Sequence, residues 1–272
     1  MNVVPVPRSP GVDLQTPIDR HWMGGNVLLT HSVNGVCMLF PAGERFFVRA
    51  VRHYMKDIDD PLLQARVKGF FGQEGRHAKE HERAFALLEQ QGYRIDRFMK
   101  FYEWLGYGVI EKIAPRKLSL ATTVALEHYT AILAEHALGT ELLTQADPRM
   151  RALLSWHAAE EIEHRSVAFD VLKQVDPSYA WRMAGLVLGS ACLAGFWTLA
   201  TAALLLQEKD LPRGKLRRDM KRAAARMKKY PPLWHALKSY VSRDFHPSDS
   251  DMDHLAERYL RDSGLDTAQA AS

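Results

Sequence analysis

Two short motifs constrain this chain more than anything else in it. They are Glu74-Gly75-Arg76-His77 and Glu161-Ile162-Glu163-His164, each a Glu followed three residues later by a His. Positions three apart share a helix face, so the carboxylate and the imidazole can point at one metal ion. Two such helices, with one Glu from each of two others, build a dinuclear carboxylate centre inside a four-helix bundle. Glu44 precedes the first motif and Glu127 falls between the two. A lone Glu-x-x-His arises often by chance; the ordered set of Glu, Glu-x-x-His, Glu, Glu-x-x-His does not. Both motifs also sit among apolar residues: Phe70 and Phe71 in one case, Ile162, Val167 and Phe169 in the other. A charged group facing a core is costly unless it is paired or holds a metal, which disfavours reading the motifs as solvated helix surface.

The punctuation of the chain supports long helices. Residues 1–25 are rich in proline and irregular, and read as an arm that lies on the body or is disordered. Helical patterning starts near Thr30, and Pro41 is expected to interrupt it, with a fresh helix from Pro41 to Ile58 that carries Glu44 near its start. Asp60-Pro61 is a cap followed by a first-turn proline, and predicts a helix to Gln91 with Gly92 at its left-handed end. That helix would be on the order of 45 Å long, with Glu74 and His77 near its middle. Residues 94–113 read as a crossover helix stopped by Pro115. A third bundle helix is expected over 116–145, with Glu127 central. Asp147-Pro148 repeats the start signal for a fourth helix reaching Val175. The fold expected is all-α: a ferritin-like bundle over 26–180 with a crossover helix, and a C-terminal helical extension over 181–272.

Residues 183–206 contain no charge and are long enough to span a bilayer. A basic stretch follows, with ten Lys or Arg from Lys209 to Lys229 against Asp210 and Asp219, until Pro231-Pro232 breaks it. A single span would put the bundle outside by the positive-inside tendency, and the N-terminus shows no export signal. Two readings are therefore carried: packing on the bundle or on a second subunit, and peripheral contact of 183–229 with the inner membrane. The expected location is the cytoplasm, with inner-membrane attachment as the variant, and the expected state is a homo-oligomer.

Bulk composition narrows the classes. The 272 residues are 47% hydrophobic with a net charge of +4. That supports a sizeable core and gives no argument for a nucleic-acid partner. Cys37 and Cys192 are the two cysteines, which excludes a disulfide framework or zinc ribbon and fits a reducing compartment.

Two further histidines share the motif faces. His157 lies four residues before Glu161, and His81 lies four after His77. Each is a candidate ligand; the alternative is a histidine that supports a ligand from behind or packs in the core. The candidate metal set is Glu44, Glu74, His77, His81, Glu127, His157, Glu161 and His164. The expected catalytic set is the same without His81 and His157. Glu160 and Glu163 are expected on solvated faces or in ion pairs.

The segments Phe40-Pro41-Ala42-Gly43-Glu44-Arg45-Phe46-Phe47, Gln73-Glu74-Gly75-Arg76-His77, Glu127-His128-Tyr129-Thr130 and Glu160-Glu161-Ile162-Glu163-His164-Arg165 together resemble a bacterial family of predicted metal-dependent hydrolases, over about residues 20 to 250. More distantly, the order of ligands is similar to that of the di-iron N-oxygenases such as p-aminobenzoate N-oxygenase, including the histidine four residues before the last Glu, here His157. His81 and the apolar segment after residue 182 lie outside that pattern. Resemblance to ferritin-like sites implies Glu74 and Glu161 as bridging carboxylates. The leading expectation is a non-haem di-iron oxidase or oxygenase using O₂ on a small organic substrate, with a lipid-like one as the variant. Two iron ions are the expected cofactor, with manganese or zinc as alternatives. The alternatives in function are a two-metal hydrolase and a non-catalytic ferritin-like metal-binding protein.

Overall fold

The computed structural model describes residues 3–228 and 233–266. It is a helical bundle; among the described residues there is no β-strand beyond an isolated bridge between Met23 and Ala146. Lys229, the Pro231-Pro232 break and the last residues of the 181–272 extension lie outside the described residues.

Helix α1 (Val27–Arg52) starts at Asn26, whose side chain accepts the Leu29 N–H at 2.9 Å. It runs straight through Pro41, so the expected restart there does not occur. The proline removes one backbone donor, but Met38, Leu39, Ala42, Phe46 and Phe47 around it are all buried. Their packing holds the helix together across the missing bond. Glu44 therefore lies well inside a helix rather than in a first turn.

Helix α2 (Pro61–Gln90) begins as its start signal requires, with Asp60 accepting the Leu62 N–H at 2.9 Å. It ends at Gly92, whose φ of 85° is the left-handed conformation that glycine tolerates. The crossover is α3 (Asp96–Glu103), a π-helical stretch (Trp104–Ile110) and the short α4 (Glu111–Ile113). Then come α5 (Arg116–Gly139) and α6 (Pro148–His164), the latter capped by Asp147 on the Arg149 N–H at 2.9 Å.

The fourth helix does not continue to Val175. It breaks directly after His164, and α7 (Val167–Val175) follows. The break has a side-chain cause. Arg165 Nη1 donates to the Ile162 carbonyl at 2.7 Å, competing there with the Ser166 N–H that a continuous helix would place on it, and also pairs with Asp253. Arg66 holds the Ser166 hydroxyl at 2.6 Å.

The apolar segment forms α8 (Tyr179–Leu205), followed by α9 (Lys215–Met227), α10 (Leu233–Tyr240) and α11 (Asp253–Asp262). Helices α1 and α2 pack together, α5 packs on α6, and α8 lies along both α5 and α1. Phe196, Ala200 and Leu204 of α8 share one core cluster with Met38 and Leu39 of α1. Contact with α5 is backbone to side-chain-free backbone: a Cβ on Gly185 would stand 2.3 Å from the Ala121 carbonyl carbon and oxygen. Among the described residues α8 is the one helix long and apolar enough to cross a bilayer. Its outer face leaves Val187 and Leu199 exposed.

The N-terminal arm lies on α2. Cβ atoms at Gly69 and Gly72 would stand 2.2 Å from the Pro5 carbonyl oxygen and 2.4 Å from Pro7 Cγ. Val12, Leu14, Trp22 and Met23 complete the docking by burying their side chains.

Candidate metal centre

Helices α1, α2, α5 and α6 each turn acidic or imidazole groups into one buried space. Donor atoms of Glu44, His77, His157 and Glu161 all lie within 4.8 Å of one another; those of Glu74, Glu161 and His164 form a second such group. Glu161 belongs to both, which places it between two adjacent positions. Glu127 joins the second group, its Oε2 lying 3.4 Å from His164 Nε2. All seven residues are buried.

These groups meet without satisfying one another. His164 Nε2 lies 3.0 Å from Glu74 Oε1, 3.4 Å from Glu127 Oε2 and 3.5 Å from Glu161 Oε2, yet it has no hydrogen-bond partner. Both oxygens of Glu44, Glu74 and Glu127 are likewise without a partner, as are Glu161 Oε2 and His77 Nδ1. A buried polar atom left unpaired costs on the order of 1–3 kcal/mol, and more when charged. So many at one point make sense as lone pairs held around cations.

The opposite nitrogen of each ring is held from outside. His77 Nε2 is 3.0 Å from Glu160 Oε2, which leaves Nδ1 facing the centre. His164 Nδ1 is 2.9 Å from Gln73 Oε1, which leaves Nε2. His157 Nδ1 is 2.6 Å from His81 Nε2, which leaves Nε2, 2.8 Å from Glu161 Oε1. Fixing one ring nitrogen sets the tautomer and aims the other, the usual support for a metal-bound histidine. The supports are themselves held. Arg8 approaches Glu160 at 3.5 Å and Glu163 at 2.7 Å, and Gln73 Nε2 donates to Glu163 Oε2 at 2.8 Å. Trp156 Nε1 donates to Glu160 Oε1 at 3.2 Å.

Electrostatics point the same way. Burial, reinforced by neighbouring carboxylates, pushes the Glu44, Glu74 and Glu127 carboxyls above the usual range. Burial also acts to raise Glu161, but His164 and the surrounding imidazole contacts outweigh it and hold Glu161 well below. For His77 burial acts downward and is overcome by the Glu160 and Glu161 contacts, which raise it to about 10. His164 is raised for the same kind of reason. Burial lowers His157 to about 4 and lowers His81 as well. Without a cation, protons must supply the positive charge this cluster needs. Carboxylate oxygens and imidazole nitrogens are suited to iron, manganese or zinc.

Seven of the eight candidate ligands are thus brought together. His81 is not among them; it stands behind His157. Glu160 takes the ion-pair option, paired with Arg8 and His77; what sequence reasoning missed is that this fully buried carboxylate orients His77. It also missed Gln73. The available signal was their position: Gln73 immediately precedes Glu74 and Glu160 immediately precedes Glu161.

Two apolar cavities adjoin the centre on the α8 side. One, of about 100 Å³, reaches Glu44 and lies between α1, α5, α8 and the π-helical stretch. The other, of about 410 Å³, reaches His157 and Glu161 and extends to α9. Val36, Phe40, Thr130 and Leu133 line both.

An all-α bundle with buried glutamates and histidines suited to hold metal defines a metal-binding protein of the helical-bundle class. The model of the family described as predicted metal-dependent hydrolase matches residues 6–251, and the chain belongs to that family. No curated protein and no solved structure matches it.

Proposed function

We propose that this protein is a two-metal hydrolase acting on a largely apolar substrate. The observation that carries this is the convergence of seven buried donors, with unpaired oxygens and nitrogens, at the edge of an apolar cavity. Glu44, His77 and His157 would hold one cation, Glu74, Glu127 and His164 the other, with Glu161 shared. Bound there, a pair of divalent ions lowers the pKa of water and polarises an oxygen of the substrate. The chain's own part is orientation and proton handling. Glu160, Gln73 and His81 hold the three rings in register. Glu127 has both oxygens free of hydrogen bonds, so one can hold a cation while the other stays available to take a proton from water and return it to a leaving group. The cavity walls at Phe40 and Leu133 exclude bulk water from the reacting atoms.

Oxidation by O₂ at a di-iron centre is the second reading. The observation in its favour is that the cavity reaching His157 and Glu161 is lined mostly by apolar side chains, among them Phe40, Leu133, Leu154 and Ala158. One experiment separates the two. Elemental analysis of natively purified protein is combined with turnover of aryl acyl esters and with oxygen uptake on adding ferrous iron. Zinc or manganese with ester turnover and no oxygen uptake is expected. Iron with substrate-dependent oxygen uptake and no ester turnover would replace the first reading by the second. Protein that binds no metal would overturn both.

A further inference from the structure

The larger cavity begins at the metal centre and ends under α9, where Ala223 forms part of its wall. Its volume of about 410 Å³ lies within the ~300–1,000 Å³ typical of small-molecule sites. Phe40 stands where the two cavities adjoin, with its ring 4.5 Å from that of His157. The two spaces follow one another along α1, from Leu28 to Phe47, and along α5, from Ala137 to Ser119. The combined space is long, narrow and apolar, and passes the centre part-way along.

The far end has a different character. Helix α9 carries six cations in thirteen residues against the single acid Asp219. Asp219 is buried and occupied: it accepts the Val27 N–H at the start of α1 and pairs with Lys215. Arg226 donates to the Leu142 carbonyl at 2.9 Å, and Leu142 also lines the cavity. Asp219, Ala223 and Arg226 therefore share the face turned to the bundle. Arg217, Arg218, Lys221 and Arg222 are exposed. The apolar cavity thus ends beside a helix whose outer face is cationic, a field that favours molecules apolar along most of their length and negative at the end nearest solvent.

We propose that the two cavities form one binding channel for a single-chain anionic amphiphile of the fatty-acid type. Its alkyl chain runs from the α9 end past Phe40, and its anionic head lies at the rim beside α9, in the field of the exposed Arg217, Arg218, Lys221 and Arg222. The inference deepens the proposed function by naming the substrate class, and rests on that reading only for what happens to the chain at the metal centre. Occupancy of the channel does not need a metal.

The test is calorimetric titration with dodecanoate and with dodecanol, on both metal-free and metal-loaded protein. Both ligands should bind both forms, dodecanoate more tightly at low salt. Leu133→Trp, which fills the junction of the cavities, should weaken dodecanoate at least about tenfold. The surface pair Lys221→Glu with Arg222→Glu should weaken dodecanoate about tenfold at low salt, lose that effect at high salt, and leave dodecanol unchanged. No binding of either ligand overturns the proposal, as does equal weakening of dodecanol by the charge reversal. Metal binding without amphiphile binding would sink this inference and leave the two-metal reading standing. Amphiphile binding by a protein that takes up no metal would do the reverse.

Discussion

His81 Nε2 lies 2.6 Å from His157 Nδ1, and both rings are buried. One nitrogen must donate and the other accept. His157 Nε2 faces Glu161 and Glu44, at 2.8 and 3.6 Å. If that nitrogen is to give its lone pair to a cation, the His157 proton sits on Nδ1 and His81 accepts it. Burial keeps both rings neutral, as this arrangement requires. His81→Ala should therefore weaken one metal position by about 10–100-fold while leaving the other intact. His81→Gln, which can still accept, should recover part of the loss. Competitive chelator titration measures both, with circular dichroism to show an unchanged fold. Equal affinity in all three proteins would remove His81 from the support of the centre.

The shared position of Glu161 makes a stoichiometric prediction. Glu161→Ala should lower affinity at both positions, because its carboxylate belongs to both donor groups. Glu44→Ala and Glu74→Ala should each empty one position, and activity should be lost in all three. Elemental analysis after gel filtration reads the outcome. A Glu161→Ala protein that keeps two metals would show that the assignment is wrong.

Metal loading should release protons. Glu44, Glu74 and Glu127 are held above the normal carboxylate range, and His77 is raised to about 10. Below these folded-state values the metal-free groups carry protons, and a ligand must give its proton up. Affinity should therefore fall as pH falls, since protons and metal compete for the same atoms. Calorimetry in two buffers of different ionisation enthalpy counts the protons released at pH 7. A count of zero would contradict the electrostatic picture of the cluster.

Gly185 tests the packing of α8. Replacing glycine by alanine in a helix normally gains about 1 kcal/mol. Here the new Cβ would meet the Ala121 carbonyl group at 2.3 Å, and backbone cannot move aside as a flexible side chain can. The clash should win, with Gly185→Ala destabilising the fold by about 1–3 kcal/mol. Gly195→Ala, on the same helix with open space around it, serves as the control. Denaturant unfolding compares the two; a stabilised Gly185→Ala would show that α8 does not lie against α5 at this point.

These residues also show what was legible before any coordinates. Helix starts at Asp60-Pro61 and Asp147-Pro148 could be read because their signals are local: a side chain caps a backbone N–H two residues away. The spacing of Glu74 with His77, and of Glu161 with His164, was local in the same sense. Pro41 misled because its local cost is outweighed by burial of Met38, Phe46 and Phe47, which depends on other helices. Likewise the partner of His77 is Glu160, 83 residues away, and that of His164 is Gln73, 91 away. Periodicity assigns a side chain to a face but says nothing of which atom waits across the gap. The break after His164 belongs to the same class, since the anchor of Arg165 is Asp253 on the last described helix.

The reach of Arg8 to Glu160, across 152 positions of sequence, bears on the order in which the molecule is assembled. During synthesis the arm emerges well before the helix it clasps, whose Glu160 follows 152 positions later. The four donor-bearing helices span residues 44 to 164, so no shorter nascent fragment holds a complete nest for two ions. Contacts this distant close late in folding. Glu160 can orient His77 at any time after α6 forms, and the charge that steadies Glu160 comes from an arm 152 positions earlier. Metal capture is thereby tied to synthesis of α6, which keeps shorter nascent chains from gathering reactive cations.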